Sequence, residues 1–162
     1  MSEALAALPL PVVIVAAAAG GERSCSTGTL TYVSYDPPRV AIPLRSTSRT
    51  LALARAAGTL SVSLLAADQA DLAVRAARSS TGDKFAEHQI PALEGAVPAV
   101  AGASAVLWCE IEAELEAGTT VLCVARVYEQ LQGPGEPLVR HRHVYRALGA
   151  GVAAADEAPY PL

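Results

Sequence analysis

Aromatic residues are scarce: one Trp, one Phe and five Tyr make up 4% of the 162 residues. A core must therefore be assembled from Ala, Val, Leu and Ile, and the 52% hydrophobic content is enough for one folded domain and excludes general disorder. Lysine is nearly missing, since Lys84 stands alone beside eleven arginines. Acidic residues outnumber basic ones by 16 to 12, giving a formal net charge of −4. That balance provides no basic face of the kind phosphate-driven nucleic-acid binding needs. Cys25, Cys109 and Cys123 are an odd set without metal-ligand spacing. They read as free, mostly buried thiols in a reducing cytoplasm, and no metal site is expected. The apolar run "LPLPVVIVAAAAGG" falls short of the roughly 20 residues a membrane span needs, and Glu3 is the only charge before Glu22 and Arg23. It reads as a core strand ending in a Gly-Gly turn, with no membrane contact. Dinucleotide, P-loop and nucleophile-elbow motifs are all missing.

What is present has a mainly β rhythm with short helices. Residues 11–19 read as a buried strand turned by Gly20 and Gly21, residues 25–35 as a second and residues 39–44 as a third. Pro43 places that third strand at an edge or ends it early. Thr47 or Ser48 is positioned to cap a helix that Gly58 closes. A strand up to Leu65 follows, then a second helix with Leu72 and Val74 near its apolar face. Residues 79–102 are irregular. In "VLWCEIEAELE" Leu107, Cys109, Ile111, Ala113 and Leu115 fall on the core side and the glutamates on the other. "TTVLCVARVYEQL" reads as its hairpin partner and "PLVRHRHVYRAL" as a final strand, with His141, His143 and Tyr145 sharing one face. Six or seven strands with two helices inserted close most naturally as a small barrel. Residues 1–150 form the expected domain, and residues 151–162 a loosely held tail.

Three places bear on chemistry. The first is a run of seven hydroxyls in eleven residues: Ser26, Thr27, Thr29, Thr31, Tyr32, Ser34 and Tyr35. It is either a Thr-rich, half-exposed strand or the bed of a polar ligand. The second is "RSTSRT", Arg45 to Thr50, which is either a plain helix cap or hydroxyls and N–H groups gathered for a phosphate between two guanidinium groups. The third is "GDKF", where Lys84 and Phe85 suit a charged planar ligand or form a helix start with an aromatic plug. His141 and Tyr145 are placed to donate hydrogen bonds into a pocket. A nucleophile–base pair of Cys25 or Ser26 with a histidine has no support beyond spacing.

The order of these motifs resembles the flavin reductase-like family of FMN-binding split β-barrels, the small components of two-component flavin monooxygenases. In that family a strand Gly-x-Thr-x-Asn-Ser-x-x-x-x-Ser-x-Asp-Pro-Pro runs beside the isoalloxazine. Ser24 to Pro38 matches it, with Ser26, Gly28 and Thr29 at the Thr, Asn and Ser positions and Ser34, Asp36, Pro37 and Pro38 intact. Ser46, Ser48, Arg49 and Thr50 match the phosphate turn, Asp83, Lys84 and Phe85 an Asp-Lys-Phe segment, and His141 and Tyr145 a His-x-x-x-Tyr strand on the nicotinamide side. Gly28 lacks the family's amide, the first helix is short, and His143 replaces a common Gly.

The resemblance implies hydride transfer from NADH or NADPH to FMN or FAD, with reduced flavin passed to a separate monooxygenase. It also implies a cytoplasmic homodimer. Ser26, Thr27, Gly28 and Thr29 would meet the ring edge, Arg45, Ser46, Ser48, Arg49 and Thr50 the phosphate, Lys84 and Phe85 the flavin tail, and His141 with Tyr145 the nicotinamide. Gly28 and His143 motivate an alternative: a non-catalytic split barrel that carries flavin or another heterocycle, as in a biosynthetic pathway.

Overall fold

An unbroken run of small and β-branched side chains has no polar face to present, and Val13–Ala19 accordingly forms a strand buried on both sides (β2). The computed structural model describes residues 2–152, so the tail from residue 153 lies outside the described residues. In chain order the elements are α1 (Glu3–Ala6), β1 (Leu10–Pro11), β2, β3 (Glu22–Gly28), β4 (Thr31–Tyr35), β5 (Pro38–Arg45), α2 (Arg49–Ala57) and β6 (Thr59–Leu64). There follow α3 (Ala70–Ala76), α4 (Lys84–Glu87), β7 (Ala92–Leu93), β8 (Ala99–Val100), β9 (Ala105–Ala117), β10 (Thr120–Gln132), β11 (Leu138–His141) and β12 (Val144–Ala147).

The main sheet is antiparallel throughout, in the order β3-β2-β6-β9-β10-β5-β4. Its two outermost strands, β3 and β4, are consecutive in the chain and joined only by Thr29 and Leu30. Three residue steps span at most about 10 Å, so the sheet must roll until its edges meet. No ladder pairs β3 with β4, and the roll stays open along that seam: the split barrel of the expected fold. The predicted single strand over 25–35 is thus two strands on opposite lips of the seam, because the chain crosses at Thr29–Leu30. β4 pairs with β5 only as far as Ala41, so Pro43, which has no N–H to give, lies where β5 is outermost.

Odd residues of β2 (Val13, Val15, Ala17) enter the barrel core with Ile42, Leu51, Leu60, Val62, Val121 and Cys123. Even ones (Ile14, Ala16) pack outward against Cys25, Leu72, Phe85 and Leu138. Ser48 caps α2 by accepting from the Leu51 N–H at 3.3 Å, and Gly58 ends it at φ 76°. In α3 the buried stripe is Leu72, Ala73 and Ala76, while Val74 is 47% exposed. Two residues of α-helix rotate a side chain by about 200°, which turns Val74 away when Leu72 faces in. Leu115, expected inside, is 62% exposed, because β9 carries an extra residue at Glu112: Ile111 pairs with Ala125 but Ala113 with Val124, so beyond the bulge Glu114 takes the side of the buried Cys123 and Leu115 faces away with Leu122.

The expected final strand is a hairpin instead. β11 and β12 pair through a two-residue turn at Arg142 (φ 50°) and His143 (φ 65°). Both turn residues are left-handed, the geometry that matches strand twist but favours Asn and Gly. His143→Gly is therefore expected to stabilise the fold by about 1 kcal/mol, read as a higher urea midpoint with unchanged slope.

Candidate functional site

β3 is an outer strand with a free edge, and its side chains line three adjoining cavities. The central one, about 510 Å³, has Ser24, Ser26 and Thr27 of β3 on one wall. Arg45, Ser48 and Arg49 come from the β5–α2 corner, and Arg78, Ser79, Ser80 and Lys84 from the segment after α3. Four of its lining side chains are cationic and none is a carboxylate. The second cavity, about 250 Å³, shares Thr27 and Pro43 with the first and is walled by Leu10, Pro11, Val12, Gly28, Thr29, Arg140 and Tyr145.

Hydroxyls in the central cavity are held by one another. Ser26 Oγ lies 2.8 Å from Thr50 Oγ1 and 3.5 Å from Ser48 Oγ, and Thr50 Oγ1 donates to Ser24 Oγ at 3.3 Å. Thr50 itself is fully buried, so it fixes Ser26 and Ser24 from behind and does not face a ligand. Thr27 Oγ1 donates to the Ala73 carbonyl, tying β3 to α3. Thr29 Oγ1, at the second cavity, is buried without a hydrogen-bond partner among the described residues. A buried hydroxyl left unpaired costs on the order of 1–3 kcal/mol, so a polar ligand atom there has something to gain.

The cations differ in how they are occupied. Arg49 donates to the Gly82 carbonyl at 2.9 Å and to Glu22 at 3.2 Å. Lys84 has no hydrogen bond or ion pair among the described residues, and burial lowers its pKa. Its backbone is fixed by Asp83, whose carboxylate accepts from Phe85 N–H at 3.0 Å and also pairs with Arg23 Nε at 2.7 Å. An unpaired, half-buried ammonium on the wall of a basic cavity is poised for an anion.

Several predicted site residues sit elsewhere. Phe85 is 1% exposed and belongs to the outer core, its ring 4.9 Å from the Arg23 guanidinium, so it plugs the α4 turn and offers no face to a ligand. Ser46 is exposed on the turn, its N–H donating to the Thr119 carbonyl. His141 pairs across the hairpin with Val144, and Arg140 with Tyr145. Opposed residues share a face, so His141 and Tyr145 point to opposite sides, and Arg140 joins Tyr145 at the second cavity. Burial pushes the Cys25 thiol up to about 12, and its side chain is fully enclosed, which removes it as a nucleophile. Arg78, Ser79, Ser80 and Arg140 were not singled out from the sequence. The first three carry the same signal as "RSTSRT", a cation beside hydroxyls. Among the described residues no group of three metal-ligating side chains comes together, and no helix is long and apolar enough to cross a membrane.

A family model described as flavin reductase like domain matches residues 5–149. The chain belongs to the flavin reductase-like family. Among its relatives in that family is the NADH-dependent FMN reductase AsuE2 of Streptomyces nodosus subsp. asukaensis, 33% identical over 90% of this chain and 82% of that one. The reductase component of 4-hydroxyphenylacetate 3-monooxygenase from Thermus thermophilus is 32% identical over 90% and 93%. The NADH:FAD oxidoreductase SgcE6 of Streptomyces globisporus, solved in complex with NAD and FAD fragments, superposes with a TM-score of 0.83 at 26% identity, covering 91% of this chain and 90% of that one. The cavities along β3 fit the family's cofactor: four cations, of which Arg45, Arg78 and Lys84 have no carboxylate partner among the described residues, suit a phosphate, and the unpaired Thr29 hydroxyl beside Leu10, Pro11 and Val12 suits the polar edge of a ring.

Proposed function

We propose that this protein is an NAD(P)H-dependent flavin reductase that supplies reduced flavin to a separate monooxygenase component. The observation that carries the reading is the junction of a basic, hydroxyl-lined cavity with an apolar recess at Gly28 and Thr29. Bound flavin supplies the redox chemistry, accepting a hydride from the nicotinamide. The protein's own residues hold and orient. Lys84, Arg45 and Arg78 bind the phosphate, with Ser26 and Ser48 aligned by Thr50 as hydroxyl partners. Thr29 meets the ring edge, and Leu10, Pro11 and Pro43 keep water from that recess. Tyr145 and Arg140, rather than His141, stand on the nicotinamide side. No side chain is needed as a strong acid or base.

The protein acts in the cytoplasm as one domain over residues 1–150 and as a homodimer. The exposed apolar side chains of Tyr128 and Leu131, close together on β10, support self-association. Purified protein mixed with FMN or FAD is expected to oxidise NADH steadily, followed at 340 nm. Tight flavin binding with no NADH loss would instead make it a carrier, and no binding of either flavin would remove flavin from the site.

A further inference from the structure

The third cavity along β3, about 760 Å³ beside the β2–β3 turn, is walled by Glu22, Arg23, Arg49, Asp83 and Glu94 among others. These five charges are engaged with one another: Arg23 pairs with Asp83 and Glu94, and Arg49 with Glu22. What they support is the wall this cavity shares with the basic one, since Arg49 lines both and donates to the Gly82 carbonyl, one residue before Asp83.

Alternation along β3 divides two tasks between its faces. Ser24 and Ser26 turn toward Thr50 in the first turn of α2 and present hydroxyls. Arg23, Cys25 and Thr27 take the other face. Thr27 holds the Ala73 carbonyl of α3, Cys25 packs in the outer core with Phe85, and Arg23 reaches the start of α4.

α4 is only four residues long, and a single helical turn has too few internal hydrogen bonds to hold itself. Its place depends on what fastens it from outside. Arg23 Nε donates to Asp83 Oδ2 at 2.7 Å, and Nη1 donates to both carboxylate oxygens of Glu94 at 3.1 Å. The same guanidinium lies 4.9 Å from the centre of the Phe85 ring. Asp83 Oδ1 accepts from the Phe85 and Ala86 N–H groups at 3.0 and 3.4 Å, which caps the turn. Lys84 is the first residue after that cap and lines the basic cavity. One guanidinium thus ties the strand that carries the hydroxyls to the turn that carries the ammonium.

We propose that Arg23 is a positioning residue for the flavin phosphate: acting through Asp83, it sets where the Lys84 ammonium stands. The proposal rests on the flavin-reductase reading above. The planar fork of a guanidinium is suited to this task, because it serves Asp83 and Glu94 at once from separate nitrogens.

The test is a double-mutant cycle between Arg23→Met and Lys84→Met, read as dissociation constants for FMN and for riboflavin by isothermal titration. Arg23→Met alone is expected to weaken FMN binding about 3- to 10-fold, part of what a charge-assisted hydrogen bond is worth, and to leave riboflavin within about twofold. In the Lys84→Met background the same substitution is expected to change FMN binding by less than about twofold, because the ammonium it positions is already gone. Asp83→Asn keeps an oxygen to cap α4 and loses the charge that faces Arg23. It should therefore reproduce the pattern with the turn intact, even where Arg23→Met fails to fold. Losses that multiply, with Arg23→Met weakening FMN by the same factor with and without Lys84, would overturn the proposal. So would an equal loss of riboflavin, or an FMN affinity that neither Arg23→Met nor Asp83→Asn changes; in each case a flavin reductase remains. A Lys84→Met protein that binds FMN as the wild type does would instead remove the phosphate from that wall, and the parent reading of the basic cavity with it.

Discussion

Replacing Lys84 by Met is expected to raise the dissociation constant for FMN by about 10- to 100-fold, the range for a lost charge-assisted hydrogen bond. Riboflavin, which has no phosphate, should bind the variant as it binds the wild type. The contrast between the two ligands is what identifies the contact: an ammonium with no protein partner among the described residues has only a ligand charge to lose. Lys84→Arg should recover much of the affinity. The pH dependence has a definite sign. Burial lowers the Lys84 pKa, so its charge is lost, on raising the pH, earlier than for a free lysine. FMN affinity should therefore decline on the alkaline side, and Lys84→Arg should flatten that limb. Isothermal titration across pH checks both. An equal loss of riboflavin and FMN in Lys84→Met would mean that Lys84 supports the fold of the site and does not touch phosphate.

Phe85→Ala is expected to destabilise the protein by about 3–5 kcal/mol, the usual cost of emptying an aromatic site in a packed core. Phe85 is among the largest fully buried side chains, and it locks the α4 turn onto β3 beside Cys25 and Ile14. Urea denaturation reads the effect directly. Phe85→Leu keeps most of the apolar volume, so it should leave the FMN dissociation constant within about twofold of wild type while still lowering stability. A stable Phe85→Leu protein with strongly weakened FMN binding would restore the ligand-stacking role suggested by the pairing of two rare residues.

Those two neighbours show how far the sequence could be read. Lys84 and Phe85 stand out equally in composition, yet in α4 one lines a cavity and the other faces the core. Consecutive helical residues diverge by about 100°, and rarity carries no direction. Strand periodicity was more informative where one face is core: Cys109 and Ile111 lie inward as the alternation in β9 predicts. It failed at Ala113 and Leu115, because the bulge at Glu112 puts one extra residue into β9 and moves the side chains beyond it to the opposite face. The cap of α2 was legible to within one residue, since Ser48 needs only local geometry to reach the Leu51 N–H. The turn at Arg142–His143 was invisible, because neither residue belongs to the set that normally marks left-handed backbone. Reading through it put His141 and Tyr145 on one face. The seam at Thr29–Leu30 was hidden for a related reason: hydroxyls and β-formers run unbroken across it.

That seam links folding to cofactor supply. The cavity walls come from β3, the β5–α2 corner, the segment after α3 and the β11–β12 hairpin, so the site exists only once the sheet has rolled and brought these elements together. A ligand that recognises the closed form alone adds about 2.7 kcal/mol of stability when its concentration is a hundred times its dissociation constant. For a chain whose β3 and β4 share no ladder, such a ligand substitutes for the missing backbone closure. Resistance of the purified protein to proteolysis is then expected to rise with the concentration of free flavin.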